Sequence, residues 1–165
     1  MKRRLHCHDE IRPATPADVP LILRFIRDLA EFEREPDAVK ATEPMLHAAL
    51  YGPDAVAEAV IAEIHGVPMG FALFFRNFST WTGLTGLYLE DLYVTPEARG
   101  AGVGTALLRH LAGIARARGY GRFEWAVLDW NTPAIDFYEK MGAEAKDEWR
   151  IRRVSGEALA RMAEG

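Results

Sequence analysis

Apolar positions recur at helical spacing through Ile22, Phe25, Ile26 and Leu29, predicting an amphipathic helix over 16–34. Thr15 stands as its N-cap, with Pro16 at the first helical position and Asp18 in the first turn, and Pro36 ends it. The preceding LHCHDEIRP (5–13) reads as a first strand. A second helix runs from about Glu43 to Leu50, after Thr42, and Gly52-Pro53 stops it. The period then shortens. AVAEAVIAEI (55–64), MGFALFFR (69–76) and LTGLYLEDLYV (84–94) read as three strands, the first two joined at His65-Gly66 as a hairpin, with NFSTWTG (77–83) as a loop. Helical spacing returns at Val103, Leu107, Leu111 and Ile114, and Gly119 closes that helix beside Arg116 and Arg118. GRFEWAVLD (121–129) is a strand, Thr132-Pro133 opens a helix ending near Gly142, a last strand covers about 144–154, and Ser155 caps a short helix.

The order β-α-α-β-β-β-α-β-α-β-α combines an antiparallel meander with a βαβ unit. It predicts an α/β protein (α+β in the older sense) with a mixed sheet and helices on its faces. The chain has 165 residues, enough for one domain over 11–165, with 1–10 as a leader or the start of the first strand. No repeat or long linker interrupts it. A net charge of -4 and the lack of a broad basic patch argue against nucleic acid, while mild acidity suits a cationic substrate. The one cysteine, Cys7, allows no internal disulfide and fits a reducing cytoplasm. The start MKRRLHCHDE lacks the apolar segment of a secretory signal. The longest apolar stretches lie near GVPMGFALFF (66–75), far short of the ~20 residues of a spanning helix, so no membrane association is expected. His6-Cys7-His8-Asp9 carries metal-binding atoms, but neighbouring residues in a terminal segment make a poor closed site, and no metal is expected.

Arg99-Gly100-Ala101-Gly102-Val103-Gly104 lies between a strand and a helix. A helix start carries unpaired N–H groups and partial positive charge. Glycines let an anion approach them, and Arg99 adds charge. A diphosphate would suit such a loop. A triphosphate loop would need a lysine before Thr105, and none is present. A dinucleotide loop would have glycines directly after a parallel strand, whereas Thr95 to Arg99 intervene here. A plain glycine-rich turn also fits.

The run resembles motif A of the GCN5-related N-acetyltransferases, Arg/Gln-x-x-Gly-x-Gly/Ala, through Arg99, Gly102 and Gly104. NTPAIDFYEKMG (131–142) is similar to the family's late Asn before a helix bearing an aromatic and a Gly, through Asn131, Tyr138 and Gly142. The element order agrees over about 11–164. The resemblance implies acetyl-CoA as co-substrate. It implies that backbone of Leu92, Tyr93 and Val94 pairs with the pantetheine arm, and that N–H groups from Gly100 through Ala101, Gly102, Val103 and Gly104 to Thr105 hold the pyrophosphate. Asn131, Thr132, Pro133 and Ala134 at the later helix start join the cofactor side. It also implies splayed central strands that open a wedge where thioester and amine meet.

Acetyl transfer needs a neutral amine. For a lysine-like pKa of ~10.4, deprotonation at pH 7 costs roughly 4.6 kcal/mol. A carboxylate can take that proton directly or through water. Glu90 and Asp91 are candidates, and strand alternation puts them on opposite faces, Glu90 with Leu92 and Val94, Asp91 with Tyr93. Tyr138, near pKa ~10, could protonate a leaving thiolate of about 8.5. Equally, it sits in a helical stripe with Ala134, Phe137 and Met141. The chain is particularly similar to the diamine acetyltransferase subgroup. There the YLED segment (here Tyr88-Leu89-Glu90-Asp91) carries the base and the Phe137-Tyr138 pair the acid. This implies Glu90 as water-mediated base and Tyr138 as general acid.

RDLAEFERE (27–35), FSTWTG (78–83), AVLDWN (126–131) and EWR (148–150) extend the subgroup match. Phe32-Glu33 and Ser79-Thr80-Trp81 resemble the thialysine N-epsilon branch rather than the spermidine/spermine branch, which has Tyr-Glu and an Asp at those places. A small primary amine such as thialysine or a related lysine-like amino acid is therefore the expected substrate, with polyamines second, a protein amine as a further possibility and a non-catalytic acyl-CoA sensor as the alternative from another class. Glu33 and Asp91 would hold an ammonium, and Trp81 and Trp149 would add apolar or cation–π surface. The subgroup implies a homodimer whose C-terminal segments help form the site.

Overall fold

The computed structural model describes residues 9–165, so His6-Cys7-His8 and the start of the expected first strand lie outside it. The described chain forms two compact units, one ending at Ala126 and one spanning Val127–Gly165. In the first, β1 (Glu10–Pro13), a 3-10 turn (Pro16–Asp18), α1 (Val19–Phe32) and α2 (Glu43–Tyr51) lead into β2 (Glu58–Ile64), β3 (Val67–Ser79) and β4 (Leu84–Val94); α3 (Val103–Ala117) and β5 (Arg122–Trp125) follow. The sheet order is β1-β2-β3-β4-β5, antiparallel except for the parallel pair β4–β5. The second unit holds α4 (Thr132–Lys140) and α5 (Gly156–Glu164).

Both faces of the sheet are covered, which is why its strands read as nearly continuous apolar runs. On one face Ala59, Ile61, Phe71, Leu73 and Tyr93 pack with Val19, Ile22, Leu23 and Phe25 of α1 and with Leu46 and Leu50 of α2. Phe25 sits at the centre, its ring 5.7 Å from Phe71 and 5.4 Å from Tyr93. On the other face α3 packs on β3, β4 and β5 and buries Val103, Leu107, Leu108 and Leu111. Gly70 permits the close approach: a Cβ there would lie 2.8 Å from the Tyr93 carbonyl oxygen and 3.2 Å from Val103 Cγ1. Among the described residues no helix is long and apolar enough to cross a membrane.

Three sequence expectations are corrected. The strand read over 121–129 is only Arg122–Trp125, because its pairing with β4 ends at Leu89↔Trp125. The loop over 77–83 is shorter: β3 continues to Ser79, paired with Leu84, because Phe78 and Ser79 still find ladder partners across a tight turn. Around 144–154 no strand forms. A strand is stable only when a neighbour takes its backbone groups, and the second unit contains no strand to pair with.

The fold's entrance is tied by one ion network. Asp18 accepts from Arg12 Nη1 and Nη2 at 2.8 and 3.0 Å and from the Thr15 amide at 2.7 Å, while Arg12 Nε donates to Glu63 at 2.9 Å. The Arg12 hydrogen bonds hold the Asp18 carboxyl down at about 2. Its contribution is thus present above the ordinary Asp pKa and is lost as pH falls from about 4 toward 2. Asp18→Asn should cost about 2 kcal/mol at pH 7, with the gap from wild type closing in acid; urea melts at pH 7 and pH 2.5 check this.

Candidate active site

Strand β4 carries the central irregularity. Leu73 faces Asp91 and Phe74 faces Leu89, so Glu90 is an extra residue, a β-bulge. The bulge shifts the alternation. Leu87 and Leu89 lie opposite Arg76 and Phe74, and beyond the bulge Leu92 and Val94 take over that face; Asp91 and Tyr93 lie opposite Leu73 and Phe71. The expected face for Asp91 is therefore observed, but Glu90 belongs to neither ladder. It is exposed, whereas Asp91 is half-buried.

Pairing between β4 and β5 stops at Leu89↔Trp125, one residue before the bulge. From Glu90 onward no strand among the described residues pairs with that edge of β4. Antiparallel pairing decides which backbone groups face it. The Thr95 amide donates to the Met69 carbonyl at 2.9 Å, so alternate residues turn inward to β3. Tyr93 therefore offers its N–H and C=O to Phe71, and Leu92 and Val94 present theirs to the open edge. Of the three residues expected to present backbone, two do so; Tyr93 contributes a buried ring instead.

The turn after β4 ends in Gly100 and Gly102, both left-handed (φ +80° and +87°), a conformation that favours glycine. Gly102 caps α3 without any side-chain bond. The first N–H groups of a helix have no helical acceptor; in α3 these belong to Val103, Gly104 and Thr105. At Gly104 a Cβ would meet only Val94 Cγ2 at 3.9 Å, so packing within the chain does not demand glycine there. Bared amides, absent side chains and Arg99 alongside fit a diphosphate; the outward groups of Leu92 and Val94 fit an amide-bearing arm.

Three carboxylates gather near the bulge. Asp91 is pushed up to about 6, first by burial, then by the charges of Glu90 and Glu33. Glu33 is also raised, by burial and then by Glu90. Glu33 arrives from the end of α1, where the chain turns back through Arg34, a non-glycine residue at φ +65°. The Glu35 amide donates to the Ala30 carbonyl at 2.9 Å, which closes the helix as a glycine cap would. Among the described residues no group of three acidic, His or Cys side chains is placed to hold a metal ion.

Phe32 reaches elsewhere. The Arg99 guanidinium lies over its ring at 5.1 Å, and Arg99 Nε donates to the Val94 carbonyl at 3.3 Å. Ser79, Thr80 and Trp81 form the β3–β4 turn, where the Thr82 amide donates to Ser79 Oγ at 3.3 Å and Trp81 is 81% exposed. Five strand residues lie between Leu84 and Glu90, a span of roughly 20 Å along β4. In the second unit Asn131 is the N-cap residue of α4, followed by Thr132, Pro133 and Ala134. Tyr138 is half-buried there, its ring 5.5 Å from Phe137; no residue of α4 is fully buried, so the stripe is not a closed core. Trp149 is 67% exposed.

The bulge had a faint signature in sequence: two adjacent acids inside an apolar strand, where acids are depleted. The Phe32–Arg99 contact had none, since the partners lie 67 positions apart in the chain.

An open strand edge, a glycine-lined helix start and a patch of carboxylates thus come together in the first unit. The profile of the Acetyltransferase (GNAT) family matches residues 22–143, and the chain belongs to that family; it is an N-acetyltransferase, with acetyl-CoA as acetyl donor. Among individual proteins, it is 40% identical to thialysine N-epsilon-acetyltransferase of Sus scrofa, over 93% of this chain and 96% of the relative. It is 33% identical to L-ornithine N5-acetyltransferase of Arabidopsis thaliana, over 90% and 85%. A solved integron cassette protein from the mobile metagenome of V. cholerae superposes with a TM-score of 0.81 at 26% identity, covering 97% of this chain and all of that one.

Proposed function

We propose that the enzyme acetylates the terminal primary amine of a small lysine-like amino acid such as thialysine. The observation that carries this is the gathering of Glu33, Glu90 and Asp91 beside the open edge of β4. The names of the two curated relatives support it, since each describes the terminal amine of an amino acid.

In this reading the diphosphate of acetyl-CoA lies on the amides of Gly100 to Thr105 with Arg99, and its pantetheine arm pairs with Leu92 and Val94. Asn131 to Ala134 complete the cofactor side. Asp91 and Glu33 hold the substrate ammonium. Glu90, exposed at the bulge, takes its proton through water. The freed nitrogen attacks the acetyl carbonyl carbon and the C–N bond forms; as the adduct collapses the C–S bond breaks, Tyr138 donates its proton to the departing sulfur, and the second proton, lost by the nitrogen, returns through water to the Tyr138 oxygen. The enzyme works as a homodimer, in which the Ser79-Thr80-Trp81 turn and the Trp149 segment serve a neighbouring copy's amine; light scattering should give twice the 18.5 kDa chain mass.

A patch of three carboxylates also suits a polyamine. Rates of CoA release with thialysine, ornithine, lysine, spermidine and spermine decide the matter. The lysine-like amino acids are expected to give the highest kcat/KM, by at least tenfold, and a strong preference for spermine would reverse the assignment.

A further inference from the structure

We propose that Phe32 is a positioning residue for the cofactor: its ring holds the Arg99 guanidinium ready for the acetyl-CoA diphosphate. This rests on the reading of the glycine loop as the diphosphate site. Sequence similarity put Phe32 on the amine side with Glu33. The structure separates the neighbours at the end of α1, with Glu33 within the field of Glu90 and Phe32 under Arg99 at 5.1 Å.

Arg99 is exposed, and a long exposed arginine samples many rotamers, a freedom it must give up if it is ordered only on binding. Here it is held at two points before any ligand arrives: Nε on the Val94 carbonyl at 3.3 Å and the guanidinium over the ring. The choice of an aromatic holder has a chemical reason. A carboxylate at that place would occupy the N–H fork and neutralise it. A ring attracts the cation through its face and leaves the Nη donors for a phosphate. Phe32 is itself 45% exposed, so its ring is not required to fill the core.

CoA binding measured by calorimetry, with amine kinetics alongside, tests this. Phe32→Leu should weaken CoA about two- to tenfold, the range of a partly exposed cation–π contact. The amine KM should stay within twofold. Phe32→Tyr keeps a ring and should bind CoA as wild type does. In an Arg99→Ala background, Phe32→Leu should have no further effect, and the KM for S-acetyl-pantetheine, which lacks the diphosphate, should not respond to Phe32→Leu at all. A raised amine KM with unchanged CoA affinity would overturn the proposal, as would an equal CoA loss with and without Arg99. If Arg99→Ala leaves CoA affinity unchanged, the diphosphate reading of the loop fails first, which is a separate outcome. Melting curves confirm that each variant is folded.

Discussion

Asp91→Asn is expected to produce a more stable protein and a poorer enzyme. In an unfolded chain an aspartate titrates near ~3.9; in the fold Asp91 is lifted to about 6 by burial, Glu90 and Glu33. Between these values the unfolded state releases its proton first. Folding therefore becomes less favourable as pH rises from about 4 to about 6 and stays so above. About two pKa units correspond to roughly 3 kcal/mol. Removing the charge should return most of that at pH 7, raising Tm by roughly 6–10 °C for a chain of this size, and should return nothing below pH 4. Denaturation at pH 4 and pH 7.5 separates the cases; a variant less stable at both would show that the carboxylate is not held against a cost. The same substitution should raise the Kd of the amine about 10- to 100-fold, the usual span for a charge-assisted contact. Wild-type affinity for the amine should fall as pH drops through about 6, because Asp91 then becomes neutral.

Tyr138→Phe should lower kcat by roughly 10²–10³ while leaving both KM values near wild type. A hydroxyl that acts only as the C–S bond breaks stabilises the transition state and not the ground state. The effect should shrink with an acetyl donor whose thiol is more acidic, since such a thiolate leaves without a proton. Full turnover in Tyr138→Phe with saturating substrates would remove the acid role. Glu90→Gln tests the other proton: it should lower kcat/KM by a similar factor, with the loss smallest at high pH, where more amine is already neutral.

Much of this fold was legible along the chain. The boundaries of β4, α3 and α4 and the His65-Gly66 hairpin follow from local periodicity and turn chemistry, which act over a few residues. The glycine loop was legible for the same reason: Gly100 and Gly102 are needed by backbone conformation, wherever the rest of the chain lies. The expected strand at 144–154 failed on a different ground. A strand needs a neighbour for its amides, and the local sequence says nothing about neighbours.

The sequence by itself thus determined the local elements, the glycine turn before α3 and the inventory of acids. Only the tertiary structure decided how those acids are used. The bulge at Glu90 arises from the register between β3 and β4, and it takes Glu90 out of the alternation that the sequence implied. The end of α1 then brings Glu33 into the field of Glu90 and Asp91 and sets Phe32 under Arg99. These are contacts between residues dozens of positions apart. Their energies depend on burial and charge separation, which exist only once the chain has folded.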